Sequence, residues 1–132
     1  MKKIFFGLFT FMVLVLASCG NVDYTAINEK LDKEGVYANF SQEEYSNMID
    51  FVDKNQTEAY KSVHNMLNNF DIDSSPSEED KAMAEKGQRC YIYVMALGYA
   101  EDNGKLDSSN SKKFNKVYQK TKELENKYFN QD

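Results

Sequence analysis

The chain has 132 residues, 42% hydrophobic and 28% charged, with a net charge of −5. That length is a single domain's worth. The acidic balance argues against binding nucleic acid or an anionic lipid surface, either of which would show as a basic patch.

In chain order, the first predicted element is a targeting segment. Lys2 and Lys3 precede an apolar run from residue 4 to residue 17, interrupted only by Gly7 and Thr10, which is the order of a secretory signal. The run falls short of the roughly 20 apolar residues that span a bilayer. It ends in Leu16-Ala17-Ser18-Cys19, a tetrapeptide that resembles the lipobox of bacterial lipoproteins, and the resemblance is confined to residues 1–19. It implies a cleaved signal at 1–18, lipidation of the Cys19 thiol by a diacyl group, and often a further acyl chain, palmitate for example, on the new amino terminus. Several acyl chains anchor stably where one is marginal, so the membrane is an expected partner through Cys19. Gly20 in the next position resembles lipoproteins sent to the outer membrane, which implies a bacterial envelope protein facing the periplasm.

Cleavage before Cys19 takes 18 of the 132 residues and leaves 114; it removes Lys2, Lys3 and no acid, so −5 becomes −7. Residues 19–22 form the lipidated tether, about four residues reaching on the order of 14 Å, and 23–132 form one helical domain close to the membrane. Cys90 is then the one remaining thiol. It lies in the run Cys90-Tyr91-Ile92-Tyr93-Val94-Met95-Ala96-Leu97 and reads as a small buried hydrophobe.

A short helix comes first, with Tyr24, Ile27 and Leu31 inward and an end near Gly35. Ser41 caps the next helix, Glu44 three residues on completes a capping box, and Phe40 and Tyr45 stand at the positions of a hydrophobic staple. Tyr45, Ile49, Val52, Gln56, Ala59, Val63, Met66 and Phe70 follow at alternating spacings of four and three, one stripe of a helix. Helix propensity weakens over 53–57, but the unbroken phase predicts one continuous helix over 41–70. Residues 71–75 read as a turn. Ser75-Pro76-Ser77-Glu78 supplies an N-cap, a proline at the first helical position and a capping acid, which predicts a helix over 76–102. Met83, Gly87, Cys90, Val94 and Leu97 form one face of it. Since 91–100 is apolar nearly all round, it reads as the central helix, surrounded by others, with Ala84, Gly87, Ala96 and Gly98 available for close approach. Asn103-Gly104 is a stop signal, and Phe114, Val117, Thr121, Leu124 and Tyr128 define the last amphipathic helix. The predicted fold is all-α: a small up-and-down helical bundle of three long helices plus a short N-terminal one.

Chemical motifs are sparse. The segment from Tyr99 to Asn110 resembles an EF-hand loop at its centre, with Gly104 sixth and Asp107 ninth, but its first place is Tyr99 and its twelfth Asn110, so it reads as a plain link between helices and no metal is expected. His64 is the one histidine; Tyr60, Lys61, Leu67 and Asn68 around it offer no carboxylate, and the Glu-x-x-His pair of di-iron bundles is absent. Neither a phosphate loop nor a serine-nucleophile elbow occurs. The expectation is therefore not an enzyme, with no catalytic residues and no cofactor. Arg89, the sole arginine, shares a side of its helix with Tyr93, Ala96 and Ala100. Its planar fork suits either a structural salt bridge or the carboxylate of a partner, so Arg89 and Tyr93 are the candidate partner-binding residues. Tyr91, Tyr93 and Tyr99 on one helix suit half-buried positions or interface anchors. The function these features favour is a non-enzymatic interaction module for another envelope protein, with an inhibitor or immunity protein against a basic partner as its narrower form. The alternative is a bundle holding a small apolar ligand between its helices.

Overall fold

A computed structural model describes residues 22–68 and 77–129. The signal segment, Cys19, Phe70, the 71–75 turn and the Ser75-Pro76 cap lie outside the described residues. The four described helices are α1 (Thr25–Glu34), α2 (Gln42–Asn68), α3 (Glu78–Asp102) and α4 (Ser108–Tyr128), with a 3-10 turn at Gly35–Tyr37 after α1. They form the expected small helical bundle.

Local chemistry sets most of the boundaries. Gly35 ends α1 at φ 74°, a backbone region that side chains with a Cβ disfavour. At the start of α2 the Glu44 N–H donates to Ser41 Oγ at 3.1 Å while the Ser41 N–H donates to Glu44 Oε1 at 2.9 Å, and the Phe40 and Tyr45 rings meet edge-on at 5.5 Å. The capping box and staple are both formed. Helix α2 continues without a break through 53–57. Helix α3 starts two residues later than expected, because Ser77, in extended conformation, is the residue whose hydroxyl accepts from the Asp80 N–H. Three acids follow in the first turn, Glu78, Glu79 and Asp80, where they complement the helix dipole.

The order of packing departs from the sequence reading. Helix α2 lies along both α3 and α4, whereas α3 and α4 touch each other sparsely. The central helix is thus α2, not α3. Its apolar stripe is wide enough to serve two neighbours, since Met48 and Phe51 are buried along with Tyr45, Ile49, Val52, Gln56 and Ala59. One side of α2 closes an aromatic cluster with α1 and α3: Phe51 meets Tyr24 at 5.4 Å and Tyr93 at 5.3 Å. On another, the fully buried Gln56 reaches α4, its amide donating to the Val117 carbonyl at 3.3 Å and its Oε1 accepting from the Thr121 hydroxyl at 2.6 Å. Burying a side-chain amide is costly unless it is paired, and here both its oxygen and its nitrogen are.

Of the small residues on α3, Gly87 lies against α2, where an added Cβ would meet Val63 and Ala59 at 3.5 and 3.6 Å. Gly98 does not mark a close approach. A Cβ there would meet nothing within 4 Å, because that side of α3 has no helix against it.

Candidate partner-binding groove

Where α3 and α4 join, the link is tied down. Gly104 turns the chain at φ 66°, the Lys105 N–H donates to the Ala100 carbonyl at 2.8 Å, and Asp107 caps α4 by accepting from the Asn110 N–H at 2.8 Å. Gln42, at the start of α2, clamps the link from below: its amide donates to the Lys105 carbonyl at 2.7 Å and its Oε1 accepts from the Asp107 N–H at 3.0 Å. Ser111 Oγ closes the base by donating to Glu101 Oε1 at 2.8 Å.

Beyond that base α3 and α4 leave a groove of about 460 Å³ between them, with Tyr60 of α2 also lining it. Tyr91, Val94, Met95, Gly98 and Tyr99 line it from α3, and Phe114, Tyr118 and Thr121 from α4. Large apolar side chains stand exposed along it: Tyr91 at 59%, Met95 at 45% and Tyr118 at 36%. The aromatic walls are braced. Phe114 and Tyr118 stack at 5.5 Å, Lys122 lies 4.7 Å over the Tyr118 ring, and Tyr99 holds Tyr37 edge-on at 4.9 Å with Lys105 over its ring at 4.9 Å.

The charged lining is acidic: Glu101, Asp102 and Glu125, with neither lysine nor arginine among the described lining residues. Tyr60 donates its hydroxyl to Glu125 Oε1 at 3.3 Å. Burial first, and the Glu125 charge second, hold that phenol well above its ordinary value, so it stays protonated as a donor. Glu101 Oε2 is buried and has no hydrogen-bond partner among the described residues.

Arg89 and Tyr93 lie elsewhere. They share a side of α3 as expected, but that side is interior, Arg89 being 5% and Tyr93 0% exposed. The Tyr93 hydroxyl donates to Asn28 Oδ1 of α1 at 2.8 Å, and the guanidinium lies 5.6 Å over the Tyr93 ring. Burial pulls the Arg89 pKa down to about 10 against the support of Tyr93 and of Glu85 one turn earlier, so it remains charged at neutral pH. Of the three tyrosines on this helix, Tyr91 and Tyr99 line the groove and Tyr93 does not. Met95, Tyr118 and Glu125 also line the groove, although none of them belongs to a sequence motif. The signal that bears on them is an α3 more apolar than one neighbouring helix can cover.

The other chemical candidates have local structural roles. His64 Nδ1 must donate to the Tyr128 carbonyl, 2.9 Å away, which leaves Nε2 to accept from Asn68 Nδ2 at 2.9 Å; the ring ties the end of α2 to the end of α4. Cys90 is buried, and burial pushes its thiol up to about 12, far from the reactive thiolate range. In the EF-hand-like segment, Glu101 accepts from Ser111, Asn103 donates to the Tyr99 carbonyl at 2.8 Å and Asp107 caps α4. Among the described residues no three His, Cys, Asp or Glu side chains gather as a metal site, and no helix is long and apolar enough to cross a membrane. Comparisons with protein-family models, with curated proteins and with solved structures find no match for this chain.

Proposed function

We propose that this chain is a lipid-anchored protein of the bacterial envelope, held through Cys19 at the outer membrane facing the periplasm, and that it works without catalysis by docking another envelope protein in the α3–α4 groove. One observation carries the docking half: Tyr91, Met95 and Tyr118 stand exposed around a single trench. Aromatic and methionine side chains clustered at a concave surface are the usual energetic centre of protein interfaces, and apolar surface gathered in one place marks an interaction site more often than scattered residues do. The anchoring half rests on Leu16-Ala17-Ser18-Cys19 behind its charged and apolar segment.

Two experiments test the halves separately. Cys19→Ala should abolish metabolic labelling with palmitate and release the chain from membranes; a Cys19→Ala protein still wholly in the membrane fraction contradicts the anchor. For docking, tagged protein purified gently from its host is compared with Gly98→Leu, which adds a side chain to the groove lining at a position where a Cβ meets nothing within 4 Å. A stoichiometric partner lost from Gly98→Leu supports docking there, and a partner retained at full yield contradicts it. If the partner is a basic toxin or hydrolase, as an inhibitor or immunity protein requires, the association weakens with salt. A second reading, a small apolar ligand, is favoured by the groove's volume, which falls in the range of small-molecule sites; a stoichiometric small molecule in a solvent extract of the wild type, absent from Gly98→Leu, would select it.

A further inference from the structure

Building on the docking reading above, the charges of the groove narrow what it binds. Glu101 and Asp102 stand at the end where α3 turns into α4, and Glu125 with its Tyr60 partner stands toward the other. Ser111, bonded to Glu101, and Glu125 are fourteen residues apart on α4, about 20 Å at 1.5 Å per residue. The lining between them is largely apolar and aromatic. Acid, apolar, acid is therefore the pattern along the trench, in a chain whose net charge of −5 adds long-range attraction for cations. Glu101 Oε2 supplies a second, independent reason: it is a buried carboxylate oxygen with no donor among the described residues, and such an atom is costly to leave unpaired.

We propose that the occupant is a cationic amphipathic helix of the partner protein. Its apolar side chains seat between Tyr91, Met95 and Tyr118, and Lys or Arg side chains at the two ends of its apolar stripe reach Glu101 with Asp102 and Glu125. A helix suits the site because α3 and α4 already lie on α2 as helices with a gap between them, so the occupant completes the bundle by the same packing of an apolar face into a groove. A second copy of this chain fits less well. Its own exposed basic stripe, Lys112, Lys116 and Lys120 on α4, has Gln119 and Glu123 rather than apolar residues beside it. The nearby cations, Lys105 and Lys122, lie over the Tyr99 and Tyr118 rings and are outside the lining.

The test uses the full-length lipidated chain in nonionic detergent and two fluorescent helix-forming peptides of about 18 residues. Both carry one leucine stripe at spacings of three and four; one has lysines at both ends of the stripe, the other glutamates. Anisotropy above the background of protein-free micelles should show the lysine peptide binding about tenfold tighter or more, with the preference shrinking as salt rises. Neutralising the groove by Glu101→Gln, Asp102→Asn and Glu125→Gln together should remove most of that preference, while Glu29→Gln, Asp53→Asn and Glu58→Gln, which remove the same charge from exposed positions elsewhere, should leave it. Gly98→Leu should block both peptides. Equal binding of the two peptides, blocked by Gly98→Leu, overturns the cationic partner and leaves the docking groove standing. Binding of the lysine peptide that is indifferent to Gly98→Leu, or no binding of either peptide, overturns this proposal; the first of these outcomes also removes the groove from the docking reading. A dimer of the full chain that Gly98→Leu dissolves overturns it in favour of a second copy.

Discussion

Tyr91 and Tyr93 are two residues apart on α3 and have opposite surroundings. Tyr93 is fully buried, ringed by Tyr24 and Phe51, and its hydroxyl has a partner on α1. Tyr91 is 59% exposed on the wall of a groove. The stretch of sequence around both is equally apolar, so apolarity alone does not say how many neighbours a helix has. Helix α2 is covered by α3 and α4; α3 is covered on the side that α1 and α2 occupy and bare on the other.

Truncating each tyrosine in turn should have very different effects on stability. Tyr93→Ala removes a buried ring and strands Asn28, and should cost about 3–5 kcal/mol, the range for truncating a core aromatic. Tyr91→Ala should change stability by no more than about 0.5 kcal/mol, as expected of a surface substitution. Urea unfolding of the two variants measures both, and a Tyr91→Ala protein as damaged as Tyr93→Ala would mean that the groove side is structural core. A smaller effect sharpens the contrast between the covered and bare sides of α2's neighbours. Gln56→Leu removes two hydrogen bonds across the α2 to α4 contact, although the Thr121 hydroxyl keeps its bond to the Val117 carbonyl at 3.1 Å, and should cost about 1–3 kcal/mol for the pair, read by the same unfolding experiment.

The smallest effect is pH-dependent and concerns the start of α2, away from the groove. Desolvation alone would raise the Glu44 carboxyl, but the Lys30 ammonium at 2.7 Å and the Ser41 N–H together hold it below its ordinary 4.5. A carboxylate with a depressed folded value stabilises the fold above its unfolded value, and that contribution is lost as pH falls through the folded one. The stability gap between wild type and Glu44→Gln should therefore be constant near neutral pH and close as the pH drops below about 4.5. A gap independent of pH down to the acid limit would show that the carboxylate's charge contributes nothing there.

What was legible in the sequence was what neighbours in the chain decide. The Ser41 and Glu44 reciprocal cap, the Phe40 and Tyr45 staple and the stop at Asn103-Gly104 all act within a few residues, so their pattern is their mechanism. The start of α3 was less legible because Ser75 and Ser77 both qualify as caps and stand two residues apart. That Arg89, Tyr93, Ala96 and Ala100 share a side followed from helical period; that this side is interior did not, because an arginine is seldom buried and the rings that pack against Tyr93 are Phe51 of α2 and Tyr24 at the start of α1. The groove had no local signature. It arises because α3 and α4 both pack on α2 and leave a gap between themselves, a consequence of three helices at once.

Docking of a protein on the bare side of α3 can be trapped chemically. A photo-reactive amino acid introduced at position 95, in the groove, and at position 58, exposed on α2, tests it most directly in full-length protein expressed in its own host and illuminated in intact cells. Docking predicts one discrete protein adduct from position 95, absent from position 58 and lost when Gly98→Leu is added. The same adducts from both positions, or none from position 95 at normal protein levels, would contradict it.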